Sequence, residues 1–498
     1  MTDDHAQRLA EADRAFLTAP AGCGKTHTIA TAVALGPGCQ LVLTHTHAGV
    51  HALEAKLQQV GARRDSYRVQ TIATWALRYV TAYPALSGFR ASSGDPCDWS
   101  LLSEDDYTKA YEAAAYLLRK RAIAGVVGAT YAGVYVDEYQ DCTLPQEQLV
   151  LALAEVIPCR VLGDPLQGVL YFAGPLAKIT ALENHGFACL PPLETPMRWA
   201  KPGSNAHLGK WLTTARGQLE ADAGLDVASW WGKGDYQARI QACRKLVDRT
   251  GTVVIILDQP NMCHEIARHL GGCAQSIEEI HSKQLMSFCS EIDRATASHL
   301  APQLVKFAGS CLTGLGKPFE DSAERYFAEG KTLVPLSKHP HLIDALEQVA
   351  ADGNVHAVLG ALEALYDAAR KESGRLFRSD LWSGAKRALR VRESRGLPTL
   401  EAAARHTRRE LAQVGRRLPR VVVARTPLVK GLEFDHAIVF AEGLKKPDLY
   451  VAITRGSKSL TVFSDSQVIL PDEASPGPVT KSRGRGSSHP AGQTSLPL

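Results

Sequence analysis

Short runs of consecutive apolar residues alternate with stretches whose apolar positions recur every three or four residues over the first 80 positions. Ala15-Phe16-Leu17 is one such run, followed by a helical pattern from Thr28 to Leu35. Gln40-Leu41-Val42-Leu43-Thr44 is the next, with a helical pattern from about Ala48 to Val60 behind it. Tyr67-Arg68-Val69-Gln70-Thr71-Ile72 then leads into an amphipathic segment ending near Tyr83. Continuous apolar runs suit strands covered on both faces, and their alternation with helices predicts a parallel, doubly wound sheet. Residues 84–128, with a helical stretch from Glu104 to Ala124, break the rhythm and read as an insertion. The strands resume at Gly133-Val134-Tyr135-Val136-Asp137-Glu138 and, after a helix from about Gln146 to Val156, at Cys159-Arg160-Val161-Leu162-Gly163-Asp164.

A second series opens at Thr252-Val253-Val254-Ile255-Ile256-Leu257, continues into a helix from Cys263 to Leu270, and returns at Arg420-Val421-Val422-Val423-Ala424. The intervening residues, about 274–417, are helical in pattern, as in Asp344 to Lys371 and Leu400 to Val414. The pattern therefore predicts an α/β protein with two parallel-sheet domains, about 1–200 and 201–465, each carrying a mainly helical insertion. From 466 to 498 the Pro-, Gly- and Ser-rich composition predicts a disordered tail.

Composition narrows the class. Hydrophobic residues make up 45% and charged residues 22% of the 498 positions, as in a soluble globular protein. The polar, acidic start Met1-Thr2-Asp3-Asp4-His5 is unlike a signal peptide, and no apolar run approaches the about 20 residues of a membrane helix. Eleven cysteines without a C-x-x-C pair suggest reduced thiols, and together these features point to the cytoplasm. The net charge of +4 is small, but thirteen Lys and Arg stand against five Asp and Glu between Glu372 and Arg420. Such a stretch is either a face that neutralises nucleic-acid phosphates or a solvated helical surface.

The chemistry is concentrated after the strands. Thr18-Ala19-Pro20-Ala21-Gly22-Cys23-Gly24-Lys25-Thr26, between an apolar run and a helix start, has the context of a phosphate-binding loop, although its first glycine is replaced by Ala19. Glycines let backbone N–H groups turn inward around phosphates, and the helix N-terminus adds a favourable dipole. Lys25 is placed to reach the β- and γ-phosphates, and Thr26 offers a hydroxyl to Mg²⁺. Asp137-Glu138 at a strand end supplies the second half of an NTPase site: a carboxylate for the metal and one to polarise water.

The segment Val136-Asp137-Glu138-Tyr139-Gln140-Asp141 resembles the DExQD box of the UvrD/Rep clade of superfamily-1 DNA helicases. Further segments resemble that family's motifs in the family's order: Leu43-Thr44-His45-Thr46-His47, Gly163-Asp164-Pro165-Leu166-Gln167, Val429-Lys430-Gly431-Leu432-Glu433-Phe434-Asp435, and Tyr450-Val451-Ala452-Ile453-Thr454-Arg455-Gly456. The resemblance implies two RecA-like domains that clamp ATP and Mg²⁺ between them. It implies that residues 19–26 and Gly431 hold the nucleotide, Glu433 approaching the ribose, with Thr26 and Asp137 at the metal and Glu138 activating water. Gln167 would sense the γ-phosphate, and Arg198 and Arg455 would offset the charge that builds on it. Thr44, His45, Thr46 and Phe172 would contact single-stranded DNA.

The family's adenine-stacking aromatic is Met197 here, and Gln7 is the candidate adenine reader, a plain helix-surface glutamine being the alternative. Base selectivity is therefore left open. The activity implied is 3′-to-5′ DNA translocation and unwinding, the alternative being a DNA-stimulated ATPase that senses or regulates without unwinding. No nuclease signature stands out, so cutting would need a partner nuclease. In size the chain is similar to the stand-alone helicase subunit of Gabija-type phage-defence systems. The terminal Gln493-Thr494-Ser495-Leu496-Pro497-Leu498 resembles peptides that dock on the bacterial sliding clamp through residues such as Gln493, Leu496 and Leu498. His264-Glu265-Ile266-Ala267-Arg268-His269 lacks zinc-helix spacing and reads as a polar helix face.

Overall fold

The computed structural model describes residues 2–91, 104–171, 174–277, 283–414 and 418–472. Its first sheet is built from β1 (Arg14–Thr18), β2 (Gln40–Thr44), β3 (Tyr67–Thr71), β4 (Gly133–Val136), β5 (Cys159–Gly163) and β6 (Ala188–Cys189), in the spatial order β3-β2-β4-β5-β1-β6. Every pairing in it is parallel. β2, β4 and β5 are buried along their whole length, which is why they read as unbroken apolar runs. Because all strands point one way, the loop after β1 and the Asp-Glu after β4 emerge at the same edge, separated by β5. That carboxyl edge is where doubly wound sheets place ligands.

The helices Glu104–Leu118 and Arg121–Thr130 of the expected first insertion do not form a separate body. Ala110, Tyr111, Ala114, Leu117, Ile123 and Val127 share one core with Trp75 and Tyr79 of the helix Ile72–Ala82 and with Leu149 and Leu153 of the helix Leu144–Ala154.

The second sheet holds β8 (Trp231–Gly232), β9 (Val253–Ile256), β10 (Gln275–Ser276), β11 (Val421–Ala424), β12 (Phe434–Phe440) and β13 (Gly456–Phe463), in the order β10-β11-β9-β12-β13-β8. It too is parallel throughout. Gln275 and Ser276, expected to belong to the insertion, instead pair with Val422 and Val423 at the sheet edge. The tail also begins later than its composition suggests, because β14 (Val468–Ile469) pairs antiparallel with β7 (Leu225–Asp226). The two α/β domains thus have the RecA-like form of helix-covered parallel sheets.

Between β10 and β11 lie the helices Lys283–Arg294, Ala297–Cys311, Lys317–Glu329, Pro340–Asp352, Val355–Lys371, Ser379–Arg395 and Leu400–Val414. They enclose a core of their own, in which Phe307 stacks on Phe288 at 3.8 Å and on Trp382 at 5.9 Å between ring centroids. The single helix expected over 344–371 is broken at Gly353, whose φ of 60° ends one helix in the left-handed region. Asn354 starts the next by accepting the N–H of Ala357 at 2.8 Å.

Much of the basic stretch is tied into the fold. Arg378 is 4% exposed, Lys386 pairs with Glu363 at 3.1 Å, and Arg392 lies 3.6 Å from Asp293. Arg405 pairs with Glu401, and Arg420 donates to the carbonyls of Val247 and Arg249 at 2.6 and 2.7 Å. At these positions charge holds helices and turns together. The clamp-like residues Gln493, Leu496 and Leu498 lie outside the described residues, as does Phe172. Among the described residues no helix is long and apolar enough to cross a membrane.

Candidate functional site

The turn after β1 is shaped by two glycines. Gly22 and Gly24 take φ of 73° and 90°, a region open to glycine and strained for other residues. Gly24 caps the helix Lys25–Leu35. Position 19 makes no such demand: Ala19 is buried, its N–H donates to the Gly163 carbonyl at 3.0 Å, and it is not among the positive-φ residues. An alanine therefore serves there. At Gly22 a Cβ would meet Trp199 Cζ3 at 2.6 Å and Arg198 Cβ at 3.0 Å. We expect Gly22→Ala to lower Tm by several degrees, since strain of about 1–3 kcal/mol adds to the clash. A thermal melt indistinguishable from wild type would contradict this.

Lys25 is the hub of the charged cluster. Its Nζ lies 2.5 Å from Glu138 Oε1 and 3.6 Å from Asp137 Oδ1, with the lysine 9% exposed. Glu138 holds φ 57° and ψ 40°, left-handed for a non-glycine residue, which turns its carboxylate toward the loop. Burial pushes Asp137 up to about 6, with Lys25 opposing the shift and Glu138 adding to it. Burial acts the same way on Glu138, but Lys25 and Lys430 hold its carboxyl well below the usual range. For Lys25 the two carboxylates outweigh burial and raise its affinity for a proton.

The other wall combines Arg198, in the segment after β6, with residues of the second domain. Arg198 Nη1 donates to the Thr454 carbonyl at 2.7 Å, and Nη2 pairs with Glu433 Oε1 at 2.9 Å. Its Nε is buried without a hydrogen-bond partner. Arg455, 2% exposed, is held by the carbonyls of Val451 and Leu432 at 2.9 and 3.0 Å and by the Thr454 hydroxyl at 2.8 Å. Burial pushes Arg455 down to about 9, and the Arg198 guanidinium adds to that shift. An anion placed between these guanidiniums would relieve both effects.

Together these residues line a cleft of about 380 Å³ between the two sheets. Pro20, Ala21, Gly22, Gly24, Lys25, Thr26, Glu138 and Gln167 enter from the first, Gly431, Glu433 and Arg455 from the second, and Arg198 from the segment that follows β6. His27, Lys56, Met197 and Lys201 complete it. Ala19, Cys23 and Asp137 lie behind this lining, with Asp137 next to Lys25. The donor set fits a polyphosphate: glycines in the required conformation, a helix N-terminus, an unpartnered buried guanidinium nitrogen and a surplus of cations. Thr26 and Asp137 offer oxygens suited to a small hard cation.

Two residues beside the cleft were missed by sequence reasoning. Lys430 bridges the sheets by donating to the Asp141 carboxylate and the Gln167 carbonyl, and lies 3.8 Å from Glu138. Gln140 connects Glu138 to the backbone N–H of Asp164. Both stood inside quoted motifs, yet only the fold shows what they touch.

The nucleic-acid candidates divide. Thr46 is exposed and caps the helix His47–Gln59, accepting the Gly49 N–H at 3.0 Å. Thr44 is buried at the end of β2. His45 turns its ring inward, with Nε2 3.6 Å from Cys142 Sγ. Gln7 is exposed and pairs with Glu11 on its own helix, outside the cleft lining, as the surface alternative would have it. Met197 is 42% exposed at the cleft. His264 and His269 bond to Ser276 and Tyr236, and no metal-binding cluster occurs among the described residues.

No protein-family model matches the chain, and neither does any curated protein. Among solved structures, the helicase nonstructural protein 10 of Arterivirus in complex with DNA is similar at 11% identity and a TM-score of 0.33, covering 93% of this chain. This chain spans 63% of that one. The Pif1 helicase from Bacteroides, in complex with ADP-AlF3 and ssDNA, is similar at 12% identity and a TM-score of 0.27, over 54% of this chain and 56% of that one.

Proposed function

We propose that this protein is an ATP-dependent DNA translocase and helicase of the UvrD/Rep type. The observation that carries the proposal is the cleft in which Lys25, Thr26, Glu138 and Gln167 face Arg198, Glu433 and Arg455 across two parallel-sheet domains. ATP supplies the triphosphate whose terminal phosphoryl is transferred to water, and Mg²⁺ would neutralise charge on its oxygens. The loop amides and Lys25 bind the phosphates; Thr26 and Asp137 would hold the metal. Glu138, kept ionised by its lysine neighbours, orients and deprotonates the attacking water. Arg198 and Arg455 offset the charge that develops in the transition state. Glu433 takes the ribose side.

Lys25 is ion-paired with Glu138 and lies near Asp137 in this structure, so phosphate binding exchanges those partners. The carboxylates are then free to engage metal and water. The second domain reaches the site through Lys430 and Arg455 and holds Arg198 through Glu433 and the Thr454 carbonyl, so binding and hydrolysis alter how the domains sit on each other. Such alternation moves two gripping surfaces along a strand. Thr46, exposed after β2, and Phe172 are the proposed strand contacts in the first domain, with the buried Thr44 and the inward-turned His45 backing Thr46.

Unwinding of a labelled duplex bearing either a 3′ or a 5′ single-stranded tail tests the proposal. We expect ATP- and Mg²⁺-dependent separation of the 3′-tailed substrate and none after chelation of the metal. DNA-stimulated hydrolysis without separation of either substrate would favour the sensor or regulatory reading, which the inward turn of His45 supports. Exclusive separation of the 5′-tailed duplex would overturn the polarity.

A further inference from the structure

Arg216 stands in none of the motifs that carry the nucleotide reading, yet it ties the cleft to the second domain. It sits on the helix Ala206–Glu220, where Leu208, Leu212, Ala215 and Leu219 recur every three or four residues. That stripe packs into the second sheet's core. Position 216 borders the stripe, so its side chain runs along the domain boundary, 15% exposed.

There its Nη1 donates to Asp164 Oδ1 at 2.8 Å and to the Tyr450 hydroxyl at 3.0 Å. Its Nε pairs with Glu220 at 2.8 Å, which fixes the fork on its own helix. Both partners lead into the cleft. Asp164, wholly buried, accepts from Gln167 Nε2 at 2.7 Å, and its N–H donates to Gln140 Oε1 at 2.9 Å. Gln140 in turn donates to Glu138. The Tyr450 hydroxyl accepts the N–H of Ala21, in the phosphate loop, at 3.4 Å.

We infer that Arg216 is a positioning residue for hydrolysis, holding Asp164, and through it Gln167 and Gln140, in register with the phosphate loop while the domains are seated together. The inference rests on the hydrolysis proposed above. Asp164 has no other cation within ion-pair distance among the described residues. Withdrawing Arg216 leaves a fully buried anion with neutral partners, an arrangement strongly disfavoured in a protein interior. The contact is therefore made or broken as a unit with the domain boundary. Arg216 does not line the cleft, so its loss should slow turnover and spare nucleotide affinity.

The test compares wild type, Arg216→Lys, Tyr450→Phe and the double variant. DNA-stimulated turnover is measured beside the Kd of a fluorescent non-hydrolysable ATP analogue. A lysine keeps the charge but cannot hold two acceptors and Glu220 with one rigid fork. We expect Arg216→Lys to lower kcat about tenfold or more while Kd stays within about threefold. Tyr450→Phe should lower kcat less, and the double variant should be no worse than about twofold below Arg216→Lys, as for two members of one network. Turnover of Arg216→Lys within twofold of wild type would overturn the inference. So would parallel losses of kcat, analogue affinity and Tm, which mark a merely structural role. A wild-type chain that binds the analogue but hydrolyses no ATP would instead overturn the hydrolysis reading, and this inference with it.

Discussion

Lys25→Ala loses ATP turnover by about 100-fold or more, whatever nucleic acid is present. Lys25 is 9% exposed and lies against the Glu138 carboxylate and close to Asp137. A charge-assisted hydrogen bond aimed at developing charge in a dry site is worth about 2.7–4 kcal/mol in the transition state. The same substitution leaves the buried Asp137 beside the half-buried Glu138, with only Lys430 near the latter. Truncating one partner of a buried ionic cluster typically costs about 3–5 kcal/mol of stability. Lys25→Met, which keeps the stem and its packing, is therefore measured alongside. Both variants should lose steady-state phosphate release, and Lys25→Met should retain a cooperative melt. Hydrolysis within about tenfold of wild type in a folded Lys25→Met protein would remove this lysine from the phosphates.

Arg455→Lys produces a comparable loss from the opposite wall, about 10³-fold in kcat with nucleotide affinity within a few-fold. Three N–H groups of Arg455 are held by Val451, Leu432 and Thr454. A guanidinium has five, so the rest remain available beyond those bonds. Lysine has a single ammonium and cannot satisfy the carbonyls and reach a phosphoryl group together. Steady-state kinetics beside equilibrium nucleotide binding separates the two effects. A weakened Kd with unchanged kcat would make Arg455 a ground-state binder, contrary to its proposed role.

The buried parallel strands were legible because strands covered on both faces read as continuous apolar runs, as in Leu41-Val42-Leu43 and Val421-Val422-Val423. β6, β8 and β10 are two residues each and leave no periodic trace. The break at Gly353 was missed because both flanking segments keep a helical apolar pattern, while the left-handed φ that ends the first helix is a property of one residue. At the cleft, the phosphate-loop and Asp-Glu contexts named Lys25 and Glu138, the family resemblance named Arg198 and Arg455, and the fold brings them to one cavity. The bridges through Lys430, Gln140 and Arg216 depend on which surfaces of two distant segments meet, and spacing carries no record of that. Ala19 looked like a defect in the loop until its backbone proved to need no glycine. The inward turn of His45 toward Cys142 likewise follows from the Asp-Glu box packing beside β2, far from it in sequence.

The central claim is that the cleft hydrolyses ATP under control of a bound strand. Steady-state phosphate release with and without single-stranded DNA, for wild type and Glu138→Gln, addresses it most directly. Glutamine keeps the shape of Glu138 but can neither accept the water proton nor balance Lys25. The account predicts turnover raised about tenfold or more by DNA in wild type, and stimulation abolished in Glu138→Gln with ATP still bound. Hydrolysis indifferent to DNA, or Glu138→Gln turning over at the wild-type rate, would contradict it.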